Sequence, residues 1–356
     1  MYLEFFNLKE YPFRLTPDTD FLFMSKAHSR AKAYMDYSVW CPEGFVVITG
    51  EVGCGKTTLI QKLLSELDDN VTVAKIFQTQ LDEVELLQAI LVEFGLNPFS
   101  AQKVELMDML NTFLINNFLQ MKQAVLVVDE AHNLSPRALE EIRLLSGVES
   151  RKEKVLHVIL VGQPQLNEIL EAPEMEQLLQ RVSMRYHIKA LAEEDVSEYI
   201  RHRLQVGGAK VNIFKPEVFP LIFRYTGGVP RLINTLCDTA MTCAYAESIH
   251  SVTEAVVNAA IEELQWLPYA KRANQRRAGA ESKKNREAQV MLREQASVLA
   301  NISNKLSQSN SLEPILSSVA NHMTNVELLL REVVDLLRQD RDRSPSVTAT
   351  KKKNTS

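Results

Sequence analysis

Residues 45–58, FVVITGEVGCGKTT, decide how the chain is read. FVVIT is a short apolar run rich in β-branched side chains, which predicts a strand buried on both faces. Gly50, four further residues and then Gly55-Lys56-Thr57 follow. That spacing suits a tight strand-to-helix loop whose backbone N–H groups face phosphate oxygens. Gly50, Glu51, Val52, Gly53, Cys54, Gly55, Lys56, Thr57 and Thr58 are the expected nucleotide contacts. Lys56 reaches the β and γ phosphates of ATP, and the Thr57 hydroxyl is a ligand of Mg2+. An ordinary glycine turn is the alternative, but the strand before and the helix after supply the context the phosphate loop needs.

A second carboxylate-bearing strand belongs with this loop. Residues 125–130 read VLVVDE, so a hydrophobic strand ends in two acids. At the carboxyl edge of a sheet, Asp129 can hold the magnesium ion through water, and Glu130 can polarise the attacking water. Alone, the pair is equally well a solvated strand end or a helix cap. His132 completes an Asp-Glu-Ala-His string of the superfamily 2 helicase kind, but no second RecA-like domain is discernible. His132 either couples nucleotide state to the next helix or is a satisfied structural histidine.

Outward from these motifs, strand-like runs recur at 71–77, 124–130, 155–162 and 185–188, separated by helical periodicity over 57–67, 82–94, 103–120 and 137–146. Such alternation predicts an α/β fold, a parallel central sheet with helices on both faces. Residues 1–30 carry Phe5, Phe6, Tyr11, Phe13, Phe21 and Phe23 around Pro12 and Pro17, a segment expected to pack across something larger. A helical stretch then runs to Trp40. Residues 193–262 read as three or four helices, broken at Gly207-Gly208, Pro216 and Gly227-Gly228-Val229-Pro230. The division expected is 1–190 for the nucleotide-binding domain, 191–265 for an all-helical lid and 266–311 for a basic linker. An amphipathic, coiled-coil-like helix over 312–338 and a disordered tail over 339–356 complete it.

Charge and composition narrow the partners. A net charge of -5 excludes a positive field over the whole molecule, so nucleic acid would need a local basic patch. Eight basic side chains between 271 and 293 form such a run, which suits a solvated linker, a phosphate backbone or an acidic membrane surface. Four cysteines lack disulfide density and zinc spacing, which implies a reducing compartment. Cys54 reads as a small space-filler, with redox sensing the alternative. The first residues do not form a signal peptide, and no stretch is apolar enough to span a bilayer.

These residues together resemble the AAA+ ATPases of the ExeA and general secretion pathway A type. Related members are the MshM pilus-biogenesis ATPases and the ATPases beside exosortase and exopolysaccharide loci. The transposition ATPases TniB and MuB are similar more distantly. The likeness covers about 1–262 and includes FFNLKEYPFRLTPDTDFLFMSKAHSRA, VILVGQPQLNEIL, QRVSMRYHIKAL and GGVPRLINTLCDTA besides the two nucleotide motifs.

The resemblance implies roles for further residues. Gln163 takes the place of sensor 1, beside the γ phosphate, a turn-capping amide being the alternative. Arg181 and Arg185, four apart and read as sharing a face of a helical turn, offer an arginine finger for a neighbour's nucleotide, with Arg181 the first choice and surface salt-bridging the alternative. Arg231 resembles sensor 2, or is a plain helix-terminal arginine. The amino-terminal Phe and Pro residues, with Phe45, are expected to border the adenine. Cofactors are then ATP and Mg2+, and the partners a nucleotide-dependent homo-oligomer and an envelope-assembly protein. The expected activity is ATP hydrolysis that drives or regulates a secretion, pilus or exopolysaccharide-export machine. A DNA-associated regulatory ATPase is the alternative and is not favoured. ExeA itself looks longer, with a transmembrane segment and a periplasmic peptidoglycan-binding domain after the ATPase, and here the basic linker and heptad-like helix stand instead. A cytoplasmic location follows, with peripheral contact at the inner face of the membrane through a partner or the basic strip.

Overall fold

The computed structural model describes residues 2–41, 45–98, 102–150 and 153–275, with scattered positions as far as 298. Residues 1–270 form one compact unit and 271–356 a second. The helix expected over 312–338 and the tail beyond it lie outside the described residues, as do Arg276, Arg277, Lys283 and Lys284 of the basic run.

Five strands make the central sheet: β1 (Phe45–Gly50), β2 (Val71–Ile76), β3 (Gln123–Val128), β4 (His157–Gly162) and β5 (Met184–Ile188). Their order across the sheet is β2-β3-β4-β1-β5 and every pairing is parallel. β1 lies between β4 and β5, with Val47 opposite both Leu160 and Arg185. The expected strand at 124–130 stops at Val128, so Asp129 and Glu130 follow the strand rather than end it. A further two-residue antiparallel pairing, Glu149–Ser150 with Glu153–Lys154, was not foreseen.

Because successive strand side chains point to opposite faces, the apolar runs feed two layers at once. On one face Val46, Ile48, Val125, Val127, Ile159 and Val161 pack with α1 (Lys26–Trp40) and α2 (Lys56–Ser65) through Met35, Leu59 and Leu63. On the other, Val47, Leu126, Val128 and Leu160 meet α3 (Glu83–Glu93), α4 (Lys103–Leu119) and α5 (Pro136–Leu145). Asp82 and Glu85 close a capping box at the start of α3, and Ser135 caps α5 just before Pro136. Each fully buried leucine here contributes roughly 1.5–3 kcal/mol, more than helix propensity supplies per residue, so the layers hold the helices.

After α6 (Gln165–Leu170) and β5 the chain turns helical: α7 (Glu193–Val206), α8 (Val218–Thr226), α9 (Pro230–Ala246) and α10 (Glu254–Glu263). Their core includes Ile200, Ile222, Leu236, Met241 and Val257, and also Tyr2, Phe6, Leu8 and Phe13 from the amino terminus. The amino-terminal aromatics thus complete the helical core, and the Tyr2 hydroxyl donates to Asp238 on α9. The larger thing across which this segment packs is the helical body.

Candidate nucleotide site

β1 runs into the loop 51–55 and α2 opens at Lys56, so the loop stands at the carboxyl edge of the sheet, where open α/β folds bind ligands. Lys56 is buried, and its Nζ donates to the carbonyl oxygens of Gly50 at 2.8 Å and Glu51 at 3.1 Å. Gly53 has φ 84°, and a Cβ there would stand 2.6 Å from the Cβ of Arg231. Only glycine allows both this backbone and this approach.

The Thr57 hydroxyl donates to Asp129 Oδ2 at 2.7 Å, joining two motifs 72 residues apart. Asp129 is 3% exposed. Burial raises its carboxyl pKa above the usual range, and the bonds from Thr57 and the Glu130 N–H oppose that rise. Two oxygen groups so placed fit a hard cation such as Mg2+, which keeps several waters and takes few protein ligands.

Glu130 has φ 50°, a left-handed backbone rare for a residue with a side chain, and its carbonyl accepts from the Thr79 hydroxyl. Gln163, just past β4, donates its Nε2 to Glu130 Oε2 at 3.2 Å. His132 Nδ1 accepts the Gln163 N–H at 3.4 Å and lies 3.4 Å from Glu130 Oε2. Glu130, His132 and Gln163 therefore form one polar cluster at the ends of the adjacent strands β3 and β4.

A cleft enclosing about 950 Å³, its open mouth included, runs from the loop to the helical body. Its walls include Val52, Gly53, Lys56 and Thr57, the segment Arg14–Asp18 with Phe21 and Phe23, and Tyr199, Arg203 and Arg231. Phe45 takes no part: it opens β1, about 16 Å of strand rise from Gly50, and is buried in the α3–α4 layer. The expectation that it borders the base is corrected accordingly.

Arg181 and Arg185 do not share a helical face. The stretch from Met184 is strand β5, pulled into the sheet by its pairing with β1, and Arg181 lies in the turn before it. Arg181 Nη1 donates to the Arg143 carbonyl at 2.9 Å and to Ser146 Oγ at 3.2 Å, at the end of α5. Arg185 Nη2 donates to Asn167 Oδ1 at 3.0 Å and to Glu171 Oε1 at 2.9 Å. Neither residue lines the cleft.

His28, Arg203 and Asn234 also line the cleft and carry no signal in the two nucleotide motifs. His28 is buried, with Nδ1 2.7 Å from Ser25 Oγ and Nε2 2.8 Å from the Cys54 carbonyl. Ser25 followed three residues later by His28 at the start of a helical run was the available signal. Arg203 is buried without a carboxylate partner among its hydrogen bonds, donating to the carbonyls of Pro12, Arg14 and Phe21, and Asn234 also donates to Arg14. Nothing in the sequence pairs residues so distant. Cys54 is buried, and desolvation pushes its thiol up to about 11, which suits the space-filling role.

A phosphate loop after β1, two acids after β3 one strand further across the sheet and a helical body against the cleft place the chain among the AAA+ P-loop NTPases, and its residues 42–170 match the AAA domain family. General secretion pathway protein A of Aeromonas hydrophila is 41% identical over 269 residues, 75% of this chain and 49% of the relative. The resemblance to that type is borne out over this span, and the chain covers about half the length of the relative it matches. Similar in fold are Cdc6p of Pyrobaculum aerophilum, 16% identical with a TM-score of 0.54 over 70% of this chain and 71% of that one, and the Aeropyrum pernix ORC2 protein, 19% identical with a TM-score of 0.51 over 67% and 66%.

Proposed function

We propose that the protein hydrolyses ATP with Mg2+ and uses the cycle to drive or regulate assembly of a bacterial envelope machine, for secretion, pilus formation or exopolysaccharide export. The observation that carries the chemistry is the contact of Thr57 with Asp129, beside a Glu130 held by Gln163. The machine is suggested by the relative named for general secretion.

In this reading Lys56 exchanges the carbonyls of Gly50 and Glu51 for β- and γ-phosphate oxygens, and the loop from Gly50 to Thr58 wraps the phosphates. Thr57 and Asp129 would hold the magnesium ion, which would supply positive charge to offset that developing on the γ phosphate. Glu130 orients water in line and takes its proton, while Gln163 donates to the γ phosphate or that water. Arg231 reaches the γ phosphate from the helical body, so the angle between the sheet and that body follows the nucleotide. Arg181, or else Arg185, completes a neighbour's site in a nucleotide-dependent homo-oligomer. The working division is a nucleotide-binding domain over 1–190 and a lid over 191–265, with the protein in the cytoplasm or at the inner face of the membrane.

Phosphate release from MgATP, followed together with mass in solution, tests this. ATP-driven assembly with turnover supports it. A monomer that turns over ATP only when duplex DNA is added supports the DNA-associated alternative instead.

A further inference from the structure

We infer that His28 is a positioning residue for the phosphate loop, fixing the Cys54–Gly55 peptide so that the Gly55 N–H is presented to the phosphates. The inference rests on the nucleotide-binding reading and adds to it a residue outside the loop.

The geometry is a short relay. The His28 N–H donates to Ser25 Oγ, the helix cap, at 3.3 Å, and the same hydroxyl meets Nδ1 at 2.7 Å. Nδ1 accepts from the hydroxyl, which leaves Nε2 as the N–H donor to the Cys54 carbonyl at 2.8 Å. Burial disfavours the imidazolium, in keeping with this neutral tautomer.

A trans peptide is planar, with its C=O and N–H pointing in opposite directions. No cis bond occurs among the described residues. Holding the Cys54 carbonyl on His28 therefore sends the Gly55 N–H away from the imidazole. Phosphate loops bind through such N–H groups, and their carbonyls must turn outward and still find donors. Cys54 is fully buried, so water cannot serve its carbonyl in place of His28. Gly55 fits the same picture: its φ is 88°, and a Cβ would meet His28 Nε2 at 3.1 Å.

The test compares His28→Gln with His28→Asn in the full chain, using a fluorescent ATP analogue and unlabelled ADP as competitor. Gln places its amide N–H near the position of Nε2, whereas Asn is one methylene shorter and stays near Ser25. Gln is expected to bind both nucleotides within about threefold of wild type, and Asn at least tenfold more weakly. Asn leaves the buried Cys54 carbonyl unpaired and should melt lower than Gln, so both affinities are read well below the lower melting temperature, where a merely structural role for His28 would leave the folded variants with equal affinity. Equal affinity of Asn and wild type overturns the inference while leaving the nucleotide reading intact. Failure of wild type to bind ATP at all overturns that reading, and the inference with it.

Discussion

The main-chain N–H of Arg231, the second residue of α9, donates to the carbonyl of Gly53 at 3.2 Å, so the helical body touches the phosphate loop itself. The guanidinium is not needed for that contact. Arg231→Ala should keep ATP affinity within a few-fold and lower kcat by roughly 100-fold, the scale for losing one donor to developing charge. Separate measurement of ATP binding and of turnover checks the split.

Asp129 carries a stability cost that its function requires. Its carboxyl pKa is raised in the folded chain, chiefly by burial, so its contribution is most favourable below the unfolded carboxylate pKa and is lost as pH rises through the folded value. Asp129→Asn should melt higher than wild type at pH 7, and the gain should shrink as pH falls toward 4. Thermal melts in nucleotide-free buffer at both pH values decide it, and Mg2+-dependent turnover should be absent in the variant.

Acid should destabilise the chain through buried neutral imidazoles. Burial lowers the pKa of His28 and of His157, whose Nδ1 is buried without a hydrogen-bond partner. With depressed folded values, their stabilising contribution is complete above pH 6.5 or so, and it is lost as pH falls from there toward the folded pKa. Urea midpoints at pH 7.5 and 5.5 should therefore drop for wild type, and His28→Gln should reduce that drop.

If Arg181 acts on a neighbour while Glu130 acts within its own chain, Arg181→Ala and Glu130→Gln should each be inactive alone. Their mixture should recover turnover, since an intact Glu130 can meet an intact Arg181 across one interface. Arg185→Ala, which removes an exposed ion pair with Glu171, should lose less than 1 kcal/mol of stability and retain turnover. Phosphate release from the mixed variants provides the check.

The sheet was legible because its strands are apolar runs punctuated by turn residues, and Gly50 to Thr57 and Asp129-Glu130 were legible together because both follow such runs at the carboxyl edge of the sheet. Gln163 was reached through resemblance, and the structure brings it onto Glu130. The shared helical face of Arg181 and Arg185 fails because a spacing of four also occurs across a turn into a strand, and the strand read at 185–188 pairs with β1 from Met184 onward. Arg203, Asn234 and the amino-terminal aromatics were invisible as a group. Their contacts span about two hundred residues, and no local period records them.

The most direct test of the account is a comparison of wild type and Glu130→Gln for ATP affinity and for phosphate release under saturating Mg2+. The account predicts that the variant binds ATP at least as well as wild type while releasing phosphate at least 100-fold more slowly, the scale for removing a general base. Undiminished turnover in Glu130→Gln, or an absence of turnover in wild type under conditions where it assembles on ATP, would contradict it.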